Sequence, residues 1–215
     1  MKLIVQIPCY NEEDNVLNVL NSIPKSIEGI DEIDIVVIDD GSSDKTADIA
    51  RENGANVVSM LHAGLSGAFL KGIDYAIENN ADILVNIDGD NQYDASSMVD
   101  LIKPIIDNQC DISIGTRPID SIKAFSPIKK KLQKFGSTIL KIISNMDIKD
   151  AASGFRAYNK NALLNLNVFN SFTYTIESII QASNKGLVIK CVDIKVNEQK
   201  NRTSKLFKSN LDYIL

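Results

Sequence analysis

Three carboxylates crowd the end of one apolar run. Ile83, Leu84, Val85 and Ile87 read as a buried strand, and Asp88, Asp90 and Asp94 follow within seven residues. Like charges two residues apart repel, and each loses solvation beside a core. The pair is costly unless a cation sits between its members. The competing reading is a polar turn, since Asp, Gly and Asn are ordinary turn residues. Asp94 also stands where it can cap a helix starting at Ala95.

Two further clusters favour a site. "PCYNEE" follows the run Lys2–Ile7, and "DDGSSD" follows Ile33–Ile38. Such near-continuous apolar runs alternate with helical patterns, which predicts an α/β fold: a mainly parallel central sheet with helices on both faces. Ligands of these sheets bind beyond the carboxyl ends of the strands. Three acidic, Asn-rich turns gathered on one sheet edge therefore point to a ligand. There is no GxxxxGK[ST], and no GxGxxG follows the first run, which argues against a P-loop nucleotide or a dinucleotide. One His and three dispersed Cys argue against nitrogen and sulfur ligation, and His62 reads as a partly buried polar residue. A hard cation, Mg2+ or Mn2+, held by Asp88 and Asp90 and completed by phosphate oxygens fits the donor set. The ligand is then a nucleoside diphosphate attached to a second group.

The elements that position these residues follow from periodicity. Strands are expected over 2–7, 33–39, 55–60, 82–87, 110–116, 153–158 and 187–196. Helices are expected over 11–22, 45–53, 66–80, 95–108, 128–144 and 174–184. Asp44 and Gly54 are placed to cap the second helix, and Pro104 to kink or break the fourth. No repeat, linker or low-complexity segment divides the 215 residues, so one domain is expected. No window approaches the ~18 apolar residues of a bilayer span, and "MKLIVQIPC" reads as a strand rather than a secretory leader. Cys9, Cys110 and Cys191 lack CxxC spacing and read as buried thiols of a cytoplasmic protein.

The net charge of −5 conceals a split. Residues 1–112 hold 21 acids and 6 bases, a balance of −15, and residues 113–215 hold 7 acids and 17 bases, a balance of +10. Ser121–Met146 contains six lysines and no acid, and Gln199–Leu211 adds Lys200, Arg202, Lys205 and Lys208. The acidic half suits a metal. The basic half suits phosphates or an anionic surface, with clustered solvated lysines as the alternative.

Seven motifs in order, "IPCYNEEDNV", "IVVIDDGSSDKT", "GLSGAFLKG", "NIDGDNQYD", "IGTR", "DAASGFRAY" and, more loosely, "NRTSKLFKS", cover nearly the whole chain. On them the chain resembles the family 2 glycosyltransferases of GT-A (Rossmann-like) fold. Within these it resembles the dolichyl- and bacterial polyprenyl-phosphate sugar transferases. The resemblance implies a nucleotide-sugar-binding half over 1–117 and an acceptor-binding half over 118–215. It implies that Pro8, Tyr10 and Glu12 line the base and ribose pocket, that Tyr10 stacks on the base, and that Asp40 accepts a hydrogen bond from the base with Ile38 packed nearby. Asp39 orients the loop. Asp88 and Asp90 match the metal pair, Gln92 completes the metal in some relatives, and Gly89 lets the diphosphate approach the backbone. Arg117 matches an arginine on phosphate. Arg156 either supports the acceptor or makes a structural ion pair, and Glu177 matches a glutamate near the acceptor. Arg202 and Lys205 match a basic segment over the diphosphate, although "RTSK" is shorter than the usual spacing.

The implied activity is inverting, metal-dependent transfer of a sugar from a GDP- or UDP-linked donor to a polyprenyl phosphate. An ionised phosphate acceptor needs no strong base. The lysine-bearing stretch 128–144, with Ile128, Leu132, Phe135, Ile139 and Leu140, suits a helix lying on the cytoplasmic face of a membrane, or a core helix with a basic outer face. Nucleic acid is not an expected partner. The competing functions are a soluble transferase acting on a glycan hydroxyl in capsule or lipopolysaccharide synthesis, and a non-catalytic nucleotide-sugar-binding module.

Overall fold

A computed structural model describes residues 1–122, 125–169 and 174–197. Its sheet has seven strands: β1 (Lys2–Cys9), β2 (Glu32–Asp39), β3 (Asn56–Ser59), β4 (Ile83–Asn86), β5 (Ile112–Thr116), β6 (Arg156–Asn159) and β7 (Ile189–Asp193). Their order is β3-β2-β1-β4-β6-β5-β7. Every pairing is parallel except those of β6, which runs antiparallel to β4 and to β5. The helices are α1 (Val16–Ser22), α2 (Thr46–Glu52), α3 (Gly64–Glu78), α4 (Met98–Ile106), α5 (Pro127–Ser144), α6 (Lys160–Asn165) and α7 (Tyr174–Asn184).

Successive side chains of a strand point to opposite faces. Leu3, Val5 and Ile7 of β1 therefore join one apolar core with Val16 and Leu20 of α1 and Met98 and Leu101 of α4. Ile4 joins a second core with Phe69 and Ile73 of α3 and Ile179 of α7. Full burial stabilises each such side chain by roughly 1.5–3 kcal/mol. Gln6 interrupts the apolar face. Its Nε2 donates to Asn86 Oδ1 (2.8 Å), and Gly72 of α3 leaves it room, because a methyl carbon there would fall 1.5 Å from Gln6 Oε1.

The departures from expectation have local causes. α1 starts at Val16 rather than Asn11 because the preceding residues bond to the β2–α2 loop instead. Asn11 takes a left-handed φ of 54°, its Oδ1 accepts from Ser43 N–H (2.8 Å), and Glu12 N–H donates to Thr46 Oγ1 (2.7 Å). Such side-chain bonds compete with a helix. Pro104 lies inside α4 without ending it, two residues before its last residue, at the expense of one i→i−4 bond. α6 was not expected; Asn159 Oδ1 caps it by accepting from Ala162 N–H (2.8 Å). Cys9 and Cys110 are buried as expected, but Cys191 is partly exposed.

Candidate active site

The polar clusters meet at the carboxyl edge because β1 lies between β2 and β4. Both neighbouring loops bond to its end. Pro8 O accepts from Gly89 N–H (3.3 Å), and Cys9 O accepts from Asp40 N–H (2.9 Å).

After β2, Asp39 Oδ1 accepts from Ser42 N–H (3.0 Å), turning the loop. Asp40 is only 3% exposed. Its two oxygens accept from the backbone N–H groups of Ala63 (2.7 Å) and Gly64 (2.9 Å) at the start of α3. His62 Nδ1 stands 2.8 Å from Asp40 Oδ2. Asp40 is thus a loop anchor in its own right, and a base would share a carboxylate already engaged. His62 is not a partly buried bystander: more than half of its side chain is exposed, and its ring stacks on Tyr10 with centroids 4.3 Å apart. Tyr10 is 41% exposed at the edge, with one face of its ring against His62. Glu12 is buried, accepting from Asn15 Nδ2 (2.8 Å). Pro8 is buried in β1. Ile38 is fully buried in the core shared with Ala68 and Phe69, so it supports the pocket from behind rather than lining it.

After β4, Asp88 is half-buried, and its Oδ1 is buried with no hydrogen-bond partner among the described residues. Burial, and then the charge of Asp90, push its carboxyl up to about 7 against the field of Arg117, a hydrogen bond from Asn86 and the field of Arg156. Asp90 Oδ1 accepts from Gln92 N–H (3.0 Å). Asn91, at φ 58°, and its neighbours are zipped to the chain's later part. Asn197 N–H donates to Gln92 O (2.8 Å), and Asn197 Nδ2 to Asn91 O (3.1 Å). Gly89 is required by packing: a methyl carbon there would stand 2.5 Å from Cys9 Sγ and 3.1 Å from Pro8 O. Asp94 accepts from Ser96 N–H (2.9 Å), the expected cap.

The segment 150–155, just before β6, closes the edge between β4 and β5. Arg117, at the end of β5, is buried and grips Asp150 through Nε (2.7 Å) and Nη2 (2.9 Å). Arg156 is fully buried, so it is not a surface for an acceptor. Its donors go to Ser153 O, Thr175 O, Ser178 Oγ and Ala151 O rather than to a carboxylate, at 2.7–2.9 Å. Glu177, in the first turn of α7, accepts from Phe169 N–H and Gln181 Nε2, both at 3.0 Å. Arg202 and Lys205 lie outside the described residues. Sequence reasoning assigned no role to Asn86, Tyr93, Asp150 or Gly154. Asn86 carried a signal as the polar residue of an apolar strand, and Asp150 and Gly154 stood in a quoted motif.

Residues 4–166 match Glycosyl transferase family 2. The chain belongs to that family. A UDP-N-acetylglucosamine–dolichyl-phosphate N-acetylglucosaminyltransferase of Methanococcus voltae is 32% identical over 73% of this chain and 69% of its own. A polyprenol monophosphomannose synthase of Mycolicibacterium smegmatis is 27% identical over 98% of this chain and 83% of its own. The crystal structure of Mycobacterium tuberculosis glucosyl-3-phosphoglycerate synthase, in complex with Mn2+, UDP and glucosyl-3-phosphoglycerate, superposes with a TM-score of 0.74 at 22% identity, covering 94% of this chain and 73% of that one. The fold is GT-A, and this family 2 chain is a glycosyltransferase.

The buried Asp88 carboxylate sets a stability cost for the glycosyltransferase without metal. Its folded pKa is raised, so the folded state holds the proton more tightly than the unfolded chain. Stability is therefore greatest below the ordinary value of 3.8 and falls as pH rises to about 7. Asp88→Asn removes that slope. In EDTA the variant should match wild type near pH ~4 and exceed it by roughly 1–3 kcal/mol near pH ~8. Thermal unfolding across pH checks this, and parallel profiles for the two proteins would refute it.

Proposed function

We propose that this glycosyltransferase moves a sugar, with inversion, from a UDP- or GDP-linked donor to a polyprenyl phosphate at a membrane surface, using Mg2+ or Mn2+ held by Asp88 and Asp90. The observation that carries the acceptor class is the orientation of α5. Its buried positions are Gln133, Ser137, Leu140 and Ser144, three of them polar. Its outward positions include Ile128, Phe135, Ile142 and Ile143, each at least 62% exposed. An ordinary surface helix buries its apolar stripe; this one turns it outward. Lysines flank the stripe. Lys134 and Lys141 pair with Asp120 and Asp147, whereas Lys129, Lys130 and Lys131 make no carboxylate pair among the described residues. Lys130 Nζ donates to Asp120 O (2.7 Å), and Lys129 lies over the Phe125 ring. An apolar face bordered by cations that no carboxylate neutralises suits an anionic lipid surface. Among the described residues no helix is long and apolar enough to cross a membrane.

The metal reading rests on the chain's own donors. Asp88 and Asp90 are hard oxygen ligands, and the buried Asp88 Oδ1, which has no hydrogen-bond partner among the described residues, offers a lone pair that a cation would satisfy. No group of three metal-ligating side chains exists among the described residues, so diphosphate oxygens and water would complete the shell. A divalent cation bound there would offset charge building on the leaving diphosphate. Arg117, fixed by Asp150, adds a preorganised positive field on the same side of the site. Tyr10 and the Asp40–His62 pair hold the base end. The acceptor phosphate oxygen attacks the anomeric carbon opposite the departing diphosphate. The new C–O bond forms as the old one breaks. Such an oxygen is largely ionised at neutral pH, with a second pKa of ~6, so it needs docking rather than a base. Glu177, committed to Phe169 and Gln181, is not required as one.

The test is a panel of UDP- and GDP-linked sugars with Mn2+, offered undecaprenyl phosphate in vesicles, 3-phosphoglycerate, or a glycan acceptor. Radiolabel should enter the lipid and be lost with EDTA. Label in 3-phosphoglycerate or the glycan, and none in lipid, would replace this reading with a soluble transferase.

A further inference from the structure

Gly154 lies against the Asp88 carboxylate. A methyl carbon built on it would stand 2.8 Å from each carboxylate oxygen, closer than real carbon atoms come, and 3.1 Å from Cγ, so the carboxylate would have to move. Backbone conformation does not ask for glycine here, since Gly154 is absent from the residues of positive φ. The contact with Asp88 does. Nor can Gly154 drift away. Its N–H donates to Tyr93 Oη (2.9 Å). Its carbonyl accepts from Asn86 Nδ2 (2.8 Å) and from Tyr174 Oη (3.3 Å). Asn86 Nδ2 also donates to Tyr174 Oη (2.9 Å), and Asn86 Oδ1 accepts from Gln6 Nε2 (2.8 Å). All these side chains are buried. On either side, Arg156 holds Ser153 O and Ala151 O, and Ser137 Oγ of α5 accepts from Ala151 N–H (3.1 Å).

We propose that Gly154 is a positioning residue for the metal site: pinned by Tyr93, Asn86 and Tyr174, it is the surface that fixes the rotamer of the Asp88 carboxylate. This rests on the metal reading above. A residue that orients a ligand commonly carries 10- to 100-fold in metal affinity. Asp88 Oδ1 has no hydrogen-bond partner among the described residues, so beside the hydrogen bond that Asn86 gives the carboxylate, the Gly154 backbone is the surface that aims it. That role explains why this buried network, which touches no solvent, is polar at all.

The experiment titrates Mn2+ into wild type, Gly154→Ala, Asp88→Asn and the double variant, following free Mn2+ by electron paramagnetic resonance with UDP and, separately, with GDP present. Gly154→Ala should fold and should bind Mn2+ at least about tenfold more weakly. Added to Asp88→Asn, the same substitution should change affinity by less than about twofold, because the group it displaces has already lost its charge. Should Gly154→Ala not fold, Tyr93→Phe tests the same seat: it keeps the ring and frees the Gly154 N–H, and should weaken Mn2+ severalfold. Uptake by the folded variants equal to wild type overturns the role of Gly154 alone. Equal, additive losses in both backgrounds overturn it as well. A wild type that takes up no Mn2+ overturns the metal site, and this inference with it.

Discussion

Asp90→Ala should lower sugar transfer by about a thousandfold or more and leave the fold intact. Asp90 stands four residues beyond the end of β4 and partly exposed, so no apolar packing depends on it. Its bond from Gln92 N–H contributes about 1 kcal/mol to one turn. Its loop keeps independent anchors in Asn197, which bonds to Asn91, Gln92 and Tyr93. The chemical loss is larger. Removing a ligand that helps neutralise a leaving diphosphate is expected to cost several kcal/mol of transition-state stabilisation, and every ~1.4 kcal/mol is a factor of ten. Single-turnover transfer, with circular dichroism and thermal unfolding as controls, measures both. Activity within tenfold of wild type, with Mn2+ still required, would remove Asp90 from the site.

On vesicles containing anionic lipid, Phe135→Ser with Ile142→Ser should weaken binding by roughly a hundredfold, since each side chain loses part of the 1.5–3 kcal/mol it gains in the acyl boundary. These residues are 64% and 74% exposed, so the domain should unfold at nearly the wild-type temperature. Lys130→Gln with Lys131→Gln should cost roughly thirtyfold, at ~1 kcal/mol per charge. Lys129 is better left in place, because it lies over the Phe125 ring, 4.1 Å from its centroid. The two pairs should part company in salt. The lysine effect should fade between 0.1 and 1 M, where the Debye length shrinks from ~10 to ~3 Å, and the apolar effect should not. Co-sedimentation at two salt concentrations reads out both. Equal sedimentation of all forms would return α5 to an ordinary basic surface helix and favour a soluble acceptor.

What the sequence made legible was whatever one strand or one turn carries by itself. An apolar run ending in Asp88 and Asp90 announces a buried strand and a charged edge without reference to any other segment. The length of α5 was equally plain. Its orientation was not, because amphipathic periodicity says that a helix has two faces and not which of them is inward. Only packing puts Gln133 and Ser137 beneath it and Phe135 outside. Arg117 could be placed at a strand end, but its partner Asp150 lies 33 residues on, a pairing that β6 creates by running backwards between β4 and β5. Arg156 offered two readings because a buried guanidinium satisfied by carbonyls leaves no charge pattern in the sequence. Gly154 was invisible for a similar reason: its importance is the absence of a side chain opposite a carboxylate 66 positions earlier.

β6 has one more effect. Asp88 follows β4 and Arg117 follows β5, and one strand, β6, lies between these two. Adjacent strands stand ~4.8 Å apart, so the two emerging ends are held near 10 Å from each other by the sheet itself. That ruler is made of backbone. No side-chain substitution can shorten it, and inserting or deleting a strand would change it only in whole steps. Accommodating a bulkier or smaller sugar therefore falls to the segments that rise from this edge. The gap between the strands that carry Asp88 and Arg117 stays the same for every donor the enzyme accepts.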